Sequence, residues 1–190
     1  MSVLKNGMMG FLASLLLLSC EKWKDPSPTT DPRITSRKYC NDPQAVNYNW
    51  DFPGVADSTV CIYSADLFEG NYTFTDSVYS IDNLLDTSKA FQTVQLQLIP
   101  LGKNKLKLSG YCTNDLFFTT LRNGITANAD TTIKINDSTY AYGQLFCRTQ
   151  DTLTGTITRL SDSLTHTLSI QWTVVSDTAI RIHKGRATKL

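Results

Sequence analysis

From residue 66 to residue 190, apolar residues recur at every second position in a series of short runs. The run FQTVQLQLI, for example, sets Leu96 and Leu98 on one face and glutamines on the other. Alternation with a period of two is typical of a β-strand that buries one face. The pattern occurs roughly eight times, and turn-forming pairs such as Asn123-Gly124 separate the runs. The chain is therefore predicted to be all-β.

Strands with a single apolar face must pack that face against another layer, and both an up-and-down barrel and a two-sheet sandwich do so. Short, regular connections favour a meander of sequential hairpins. The sequence thus predicts an antiparallel up-and-down barrel of about eight strands over residues 64–190. No long helix is expected, because Glu21 and Glu69 are the only Glu residues among 17 acidic side chains and Thr is abundant.

The N-terminus reads MSVLKNGMMGFLASLLLLSC, with Lys5 ahead of an apolar run over residues 8–18. A run of this length is typical of a secretory signal and is shorter than the roughly 20 residues of a spanning helix. It ends in Leu17-Leu18-Ser19-Cys20, which resembles a bacterial lipobox. The resemblance implies that residues 1–19 are a signal peptide and that Cys20 carries a diacylglycerol on its thiol. The lipid would then attach the protein to a membrane.

Residues 20–38 are predicted to be a flexible, lipid-anchored tether. Pro26, Pro28 and Pro32 lie there among Ser, Thr and Asp residues, without an apolar period. Proline restricts φ and keeps such a segment partly extended. The tether would hold the folded part away from the lipid surface.

The chain contains five cysteines. If Cys20 is lipidated, an even set of four remains, which in an exported protein indicates disulfides. Four cysteines allow three pairings. Order along the chain favours Cys40–Cys61 together with Cys112–Cys147.

Residues 39–63, YCNDPQAVNYNWDFPGVADSTVCIY, form a separate short segment framed by cysteines. It resembles a module of Bacteroidota surface proteins that reads Cys-x-Asp-Pro-x-Ala-x-Asn-Tyr-Asn and ends in Cys-x-Tyr. The disulfide would substitute for a core, with Tyr48 and Trp50 as a small apolar plug. The spacing is unlike an EF-hand, so no metal is expected. The weak candidates for a calcium site are Asp42, Asn47, Asn49 and Asp57.

Phe68, Gly70 and Tyr72 in FEGNYTFTDSVY, a later GYC segment and a GTIT strand are similar to the lipocalin-like domains of small Bacteroidota lipoproteins. Lipocalins open with Gly-x-Trp, where this chain has Gly70-Asn71-Tyr72. The resemblance implies a barrel, and a barrel of eight strands has room for side chains or for one small ligand. The aromatic residues that would either line such a cavity or simply fill the interior are Tyr72, Phe74, Tyr140, Tyr142 and Trp172.

No catalytic constellation is visible in the sequence. There is no Gly-x-Ser-x-Gly elbow, and His166 and His183 are expected to be exposed strand residues. Neither an enzymatic activity nor a cofactor is therefore expected. The net charge of +1 argues against the strongly basic surface that nucleic-acid binding needs.

Together these features predict a lipid-anchored, non-enzymatic envelope protein of the bacterial outer membrane, on its periplasmic or its surface-exposed face. Its β domain would bind a small apolar ligand, a glycan or a protein partner. The alternative is a structural or adhesive cell-surface module with a fully packed barrel. A cavity in the barrel distinguishes the two functions.

Overall fold

The computed structural model describes residues 31–89, 92–131, 134–135, 138–139, 143–148, 151–160 and 166–190. The predicted signal peptide, Cys20 and the first part of the tether lie outside these residues. Within the described part of the chain, no helix is both long enough and apolar enough to cross a bilayer. One short helix, α1 (Pro32–Ser36), lies inside the predicted tether.

Among the described residues, thirteen strands follow α1, several of them only two residues long. They are β1 (Lys38–Tyr39), β2 (Val55–Ala56), β3 (Gly70–Ser80), β4 (Gln92–Pro100), β5 (Lys105–Ser109), β6 (Leu116–Thr120), β7 (Thr126–Ala129), β8 (Lys134–Ile135), β9 (Ser138–Thr139), β10 (Gln144–Leu145), β11 (Thr152–Arg159), β12 (Thr167–Val175) and β13 (Ile180–Lys189). Single 3₁₀ turns occupy Ser58–Val60 and Asp66–Phe68.

Eight of these strands form a closed antiparallel barrel. Strands β3 to β7 pair in chain order, as do β11 to β13; β13 pairs with β3, and β7 pairs with β11. The strands therefore follow one another around the barrel, and the predicted up-and-down topology is confirmed. Strand β10 pairs with β11 outside the ring, and β8 and β9 form a separate hairpin.

The inward-facing residues of the barrel strands form its core. Alternating positions are buried along β3, β4, β5, β6 and β12, as the period-two pattern predicts. The largest fully buried side chains are Trp172, Tyr72, Phe68, Phe74, Phe118, Leu98, Leu106, Leu108, Leu116, Leu153, Ile157 and Leu168. The middle of the barrel is thus filled by its own side chains.

The end of the barrel where β3 begins is plugged. Phe68, in the 3₁₀ turn just before β3, is fully buried, and the Arg159 guanidinium lies 6.0 Å from the centre of its ring. The Tyr72 hydroxyl donates a hydrogen bond of 2.9 Å to the Phe68 carbonyl oxygen. These contacts attach the incoming chain to the barrel and close this end.

In strand β13 the residues that face the barrel interior are not the isoleucines, as the sequence pattern suggests, but the alternate residues. His183 was expected to be exposed, but it is only 8% exposed, whereas Ile180 is 39% exposed. The register explains the difference. A Cβ on Gly185 would lie 1.9 Å from the Thr75 carbonyl oxygen, and Ala187 is fully buried, so the inward positions of β13 accept only small residues there. That phase turns His183 inward and Ile180 outward.

Residues 39–63, the stapled module, precede the barrel. The Cys40–Cys61 disulfide and the parallel pair β1–β2 hold it together. Its interior contains Cys40 and Ala45, whereas Trp50 is 60% and Tyr48 38% exposed. The expectation of an aromatic plug is therefore wrong, because a segment this short encloses too little volume for a large ring.

Candidate functional site

A cavity of about 470 Å³ lies at the end of the barrel opposite the Phe68 plug. It opens where β3 and β12 end and where β13 begins. Val78, Val174 and Phe146 supply apolar walls, and Tyr111 and His183 border it as polar groups. A cavity of this size falls in the range that small-molecule sites occupy.

Three polar side chains meet beside this cavity, and we refer to Asp76, Tyr111 and His183 as the Asp76 cluster. Asp76 Oδ2 lies 2.6 Å from the Tyr111 hydroxyl and 2.7 Å from His183 Nδ1. Tyr111 Oη and His183 Nδ1 are 3.0 Å apart. Because an ionised carboxylate only accepts, Tyr111 donates its hydroxyl proton and His183 donates from Nδ1.

The environment of the cluster keeps Tyr111 protonated. Burial and the hydrogen bond to Asp76 raise the pKa of Tyr111 far above its ordinary value. Asp76 is itself fully buried, and its Oδ1 has no hydrogen-bond partner among the described residues. A carboxylate in this position depends on its two donors, since an unpaired buried charge is strongly disfavoured.

One ring nitrogen of His183, Nε2, takes no part in the hydrogen bonds of the Asp76 cluster. Its Nδ1 is occupied by the Asp76 cluster, and no described residue bonds to Nε2. The hydrogen bonds of the His183 ring to described residues are made by Nδ1, and the residue is 8% exposed. Because His183 borders the cavity, Nε2 is a hydrogen-bonding atom available to a ligand there.

Aromatic rings pack against the Asp76 cluster. The Tyr111 ring centre lies 5.0 Å from that of Trp172 and 5.2 Å from that of Phe146. Phe146 in turn lies 5.8 Å from the His183 ring. Edge and tilted contacts of this kind fix ring orientation as well as burying area.

The Cys112–Cys147 disulfide links the two loops that carry Tyr111 and Phe146. The Asn114 side chain strengthens this connection by donating a 3.0 Å hydrogen bond to the Phe146 carbonyl oxygen. The two disulfides of the described residues, Cys40–Cys61 and Cys112–Cys147, are the pairs that sequence order favours. The second one fixes two side chains that border the cavity.

Three of the five aromatic residues proposed from the sequence as ligand contacts are described by the structure, and none of these three borders the cavity. Tyr72, Phe74 and Trp172 are buried in the packed interior. Tyr140 and Tyr142 lie outside the described residues.

Sequence reasoning missed Asp76, Tyr111 and His183. One signal was present: Asp76 occupies the inward-facing phase of β3, between Phe74 and Val78, where a charge is anomalous.

The weak calcium candidates of the stapled module bond to protein groups instead. Asp42 Oδ2 lies 2.6 Å from Lys103 Nζ, and Asp57 Oδ2 lies 2.8 Å from Lys38 Nζ. The hydrogen bond from Lys103 is the main reason that the pKa of Asp42 is lowered to about 2.

The asparagines of the same module also have structural roles. The Asn47 side chain accepts from the Ile62 amide and donates to the Val60 carbonyl, and Asn49 adopts φ of +58° in a turn. Across the described ranges, no group of three or more His, Cys, Asp or Glu residues is arranged to hold a metal.

A scan against models of protein families, a search of curated proteins and a search of solved structures each find no match to this chain. The class of protein that the fold and the site define is a closed, disulfide-braced β-barrel with a cavity at one end. Function must be argued from that cavity, because a barrel fold by itself accommodates many functions.

Proposed function

We propose that this chain is a lipid-anchored, non-enzymatic envelope protein whose barrel binds a small molecule at its open end. The cavity beside the Asp76 cluster carries the proposal. One end of the barrel is plugged by Phe68, whereas the other end keeps about 470 Å³ of space. Apolar walls with a few convergent polar groups are typical of small-molecule sites.

Binding accounts for the polar groups at the cavity better than catalysis does. The Asp76 carboxylate orients His183, and this arrangement also occurs around general bases. However, Ser176, a hydroxyl residue at the cavity, donates to the Ala179 carbonyl oxygen at 2.9 Å. The hydrogen bonds of His183 to described residues go to Tyr111 and Asp76 and not to a Ser, Thr or Cys side chain that it could activate, so the cluster is better suited to holding a ligand.

The membrane attachment rests on the N-terminal sequence. An apolar run followed by Leu17-Leu18-Ser19-Cys20 supports lipidation at Cys20, and the proline-rich tether supports a spacer between lipid and barrel. The resemblance of the stapled module supports the outer membrane of a Bacteroidota species, on its periplasmic or its surface face. Metabolic labelling with a fatty acid analogue is expected to mark the wild-type protein and to miss the Cys20→Ser variant.

The ligand site is tested by native mass spectrometry of full-length protein purified from membranes in mild detergent. Val174 borders the cavity and is 6% exposed, whereas its neighbour Val175 is 43% exposed. We expect an added mass on the wild type and on Val175→Phe, and its loss from Val174→Phe. Circular dichroism confirms that both variants are folded. Wild-type protein without an added mass, or an adduct that persists in folded Val174→Phe, would overturn the proposal.

The second candidate function, a structural or adhesive surface module, is favoured by a different observation. Tyr48, Trp50 and Phe52 of the stapled module are 38%, 60% and 63% exposed. Exposed aromatic side chains this close in sequence are enriched at sites of protein or glycan contact. In that case attachment would depend on these residues and would not respond to Val174→Phe.

A further inference from the structure

We propose that the cavity ligand is a small organic anion, an acidic group on an apolar body, rather than the purely apolar molecule that a barrel suggests. This inference rests on the proposed function and specifies its ligand class. It starts from the charges at the cavity. Among the described residues, three cations, Lys89, Arg148 and Arg181, and one carboxylate, Asp151, border the cavity.

These three cations form no ion pair within the described part of the chain. Elsewhere in the described chain, lysines such as Lys38, Lys103 and Lys105 each lie within 3 Å of an Asp oxygen. Several cations lining one cavity together with apolar side chains attract an anion, and low-dielectric surroundings strengthen the attraction.

Arg181 is the cation best placed to meet the acidic group. It shares the inward phase of β13 with His183, two residues deeper, which separates their Cα atoms by about 6.5 Å. Arg181 is paired with Ser80 on one side and with Val174 on the other. An acidic group of the ligand placed between Arg181 and His183 would accept a hydrogen bond from the Arg181 guanidinium and lie near His183 Nε2.

The remaining carboxylates nearby are already engaged. Asp76 is buried beneath the cavity and holds Tyr111 and His183. Asp86 accepts from the Ser88 hydroxyl and amide, and the pKa of Asp86 is lowered mainly by that hydroxyl and to a smaller extent by Lys89 and Arg181. Asp86 does not border the cavity, so its charge does not occupy the ligand's place.

The apolar part of the ligand would pack on Phe146, Val78 and Val174. A ligand without a charge would cover the cations and remove water from them without replacing it, which is unfavourable. A cationic ligand would be repelled. The lining therefore selects an amphipathic anion over neutral and cationic molecules of the same shape.

A matched set of probes tests this inference on the full-length protein in detergent. The probes are 2-naphthoate, 2-naphthamide and 2-naphthylmethylammonium, which share one ring system and differ in charge. Isothermal titration calorimetry at pH 7 and low salt is expected to show naphthoate binding about tenfold or more tighter than the amide. The ammonium probe is expected to bind most weakly.

Arg181→Gln is expected to reduce this preference to within about threefold. Arg186→Gln changes an exposed residue of the same strand and is expected to leave the preference intact. The double variant Lys89→Gln/Arg148→Gln is expected to reduce the preference for naphthoate over naphthamide independently of Arg181. All variants are checked for wild-type thermal unfolding.

Equal affinity for naphthoate and naphthamide would overturn the inference, as would a preference that survives both Arg181→Gln and the double variant. Failure of all three probes to bind would also refute it, because the cavity would then not accept an apolar ring with an acidic group. The proposed function is judged separately, by the added mass and its loss in Val174→Phe. The two can therefore fail independently.

Discussion

His183 Nδ1 lies 2.7 Å from Asp76 Oδ2, although the two residues are 107 positions apart in the chain. They belong to β13 and β3, the last and the first strands of the barrel, which pair with each other. The contact therefore forms only when the barrel closes. A buried, charge-assisted hydrogen bond at this junction ties closure of the barrel to the shape of the cavity.

Asp76→Asn is expected to lower the free energy of unfolding by about 1–3 kcal/mol, because a neutral amide oxygen replaces the carboxylate that accepts from two donors. Tyr111→Phe removes one of those donors and is expected to lower it by about 1 kcal/mol. Urea unfolding measures both. Asp82→Asn makes the same chemical change at an exposed position and should stay within about 0.5 kcal/mol of the wild type. Equal effects of Asp76→Asn and Asp82→Asn would contradict a structural role for the cluster.

Replacing both Cys112 and Cys147 with Ala is expected to destabilise the protein by up to about 4 kcal/mol, since the disulfide spans 35 residues. It should also weaken naphthoate binding, because the loops that carry Tyr111 and Phe146 lose their connection. Calorimetry of the folded double variant measures the second effect.

Cys40→Ala/Cys61→Ala removes a disulfide of comparable span, 21 residues, in the stapled module. It should destabilise to a similar extent while leaving naphthoate affinity unchanged. Equal loss of affinity in both pairs of variants would show that the disulfides act on stability alone.

The barrel was predictable because the signals for it are local. Alternation along β4 and β12 reports burial residue by residue, and turn pairs mark where strands reverse. The cysteine pairing also followed from sequence order. Strand β13 shows where local signals fail. Two isoleucines at its start suggest that they face the interior, but the small residues Gly185 and Ala187 occupy the inward positions and the isoleucines face outward.

The cavity was not predictable from any local pattern. Asp76, Tyr111 and His183 are separated by 35 and 72 positions and meet only through barrel closure. The exposed rings of the stapled module were missed for a related reason. Hydrophobicity alone suggests that Trp50 is buried, but a 25-residue segment has little interior in which to bury it.

The two described tryptophans offer a direct contrast. Trp50→Ala is expected to change the free energy of unfolding by less than about 0.5 kcal/mol, because its side chain is largely exposed. Trp172→Ala removes a fully buried ring at the centre of the barrel and is expected to lower it by about 3–5 kcal/mol.

Urea unfolding followed by far-UV circular dichroism compares the two variants. If Trp50→Ala proves as damaging as Trp172→Ala, the exposed position of Trp50 is wrong. If Trp50→Ala is stable but abolishes attachment of cells or vesicles to a surface, the adhesive function gains support over ligand binding.

The ion pair between Asp42 and Lys103 predicts a specific acid response. Asp42 has a pKa of about 2 in the folded protein, against an ordinary value of 3.8. The unfolded chain therefore binds a proton more readily between these values, so the contribution of Asp42 to stability is present above about pH 4 and is lost as the pH falls towards 2. Asp42→Asn has no such proton to bind and should lose less stability between pH 5 and pH 2.

Urea unfolding of the wild type and Asp42→Asn at pH 5, 3.5 and 2 measures this difference. Asp57, whose pKa is also lowered, titrates in both proteins, so its effect cancels in the comparison. Lys103→Met should reproduce the flatter acid response of Asp42→Asn, because it removes the main cause of the lowered pKa of Asp42. A gap between the wild type and Asp42→Asn that stays constant from pH 5 to pH 2 would show that the ion pair does not hold the module against the barrel.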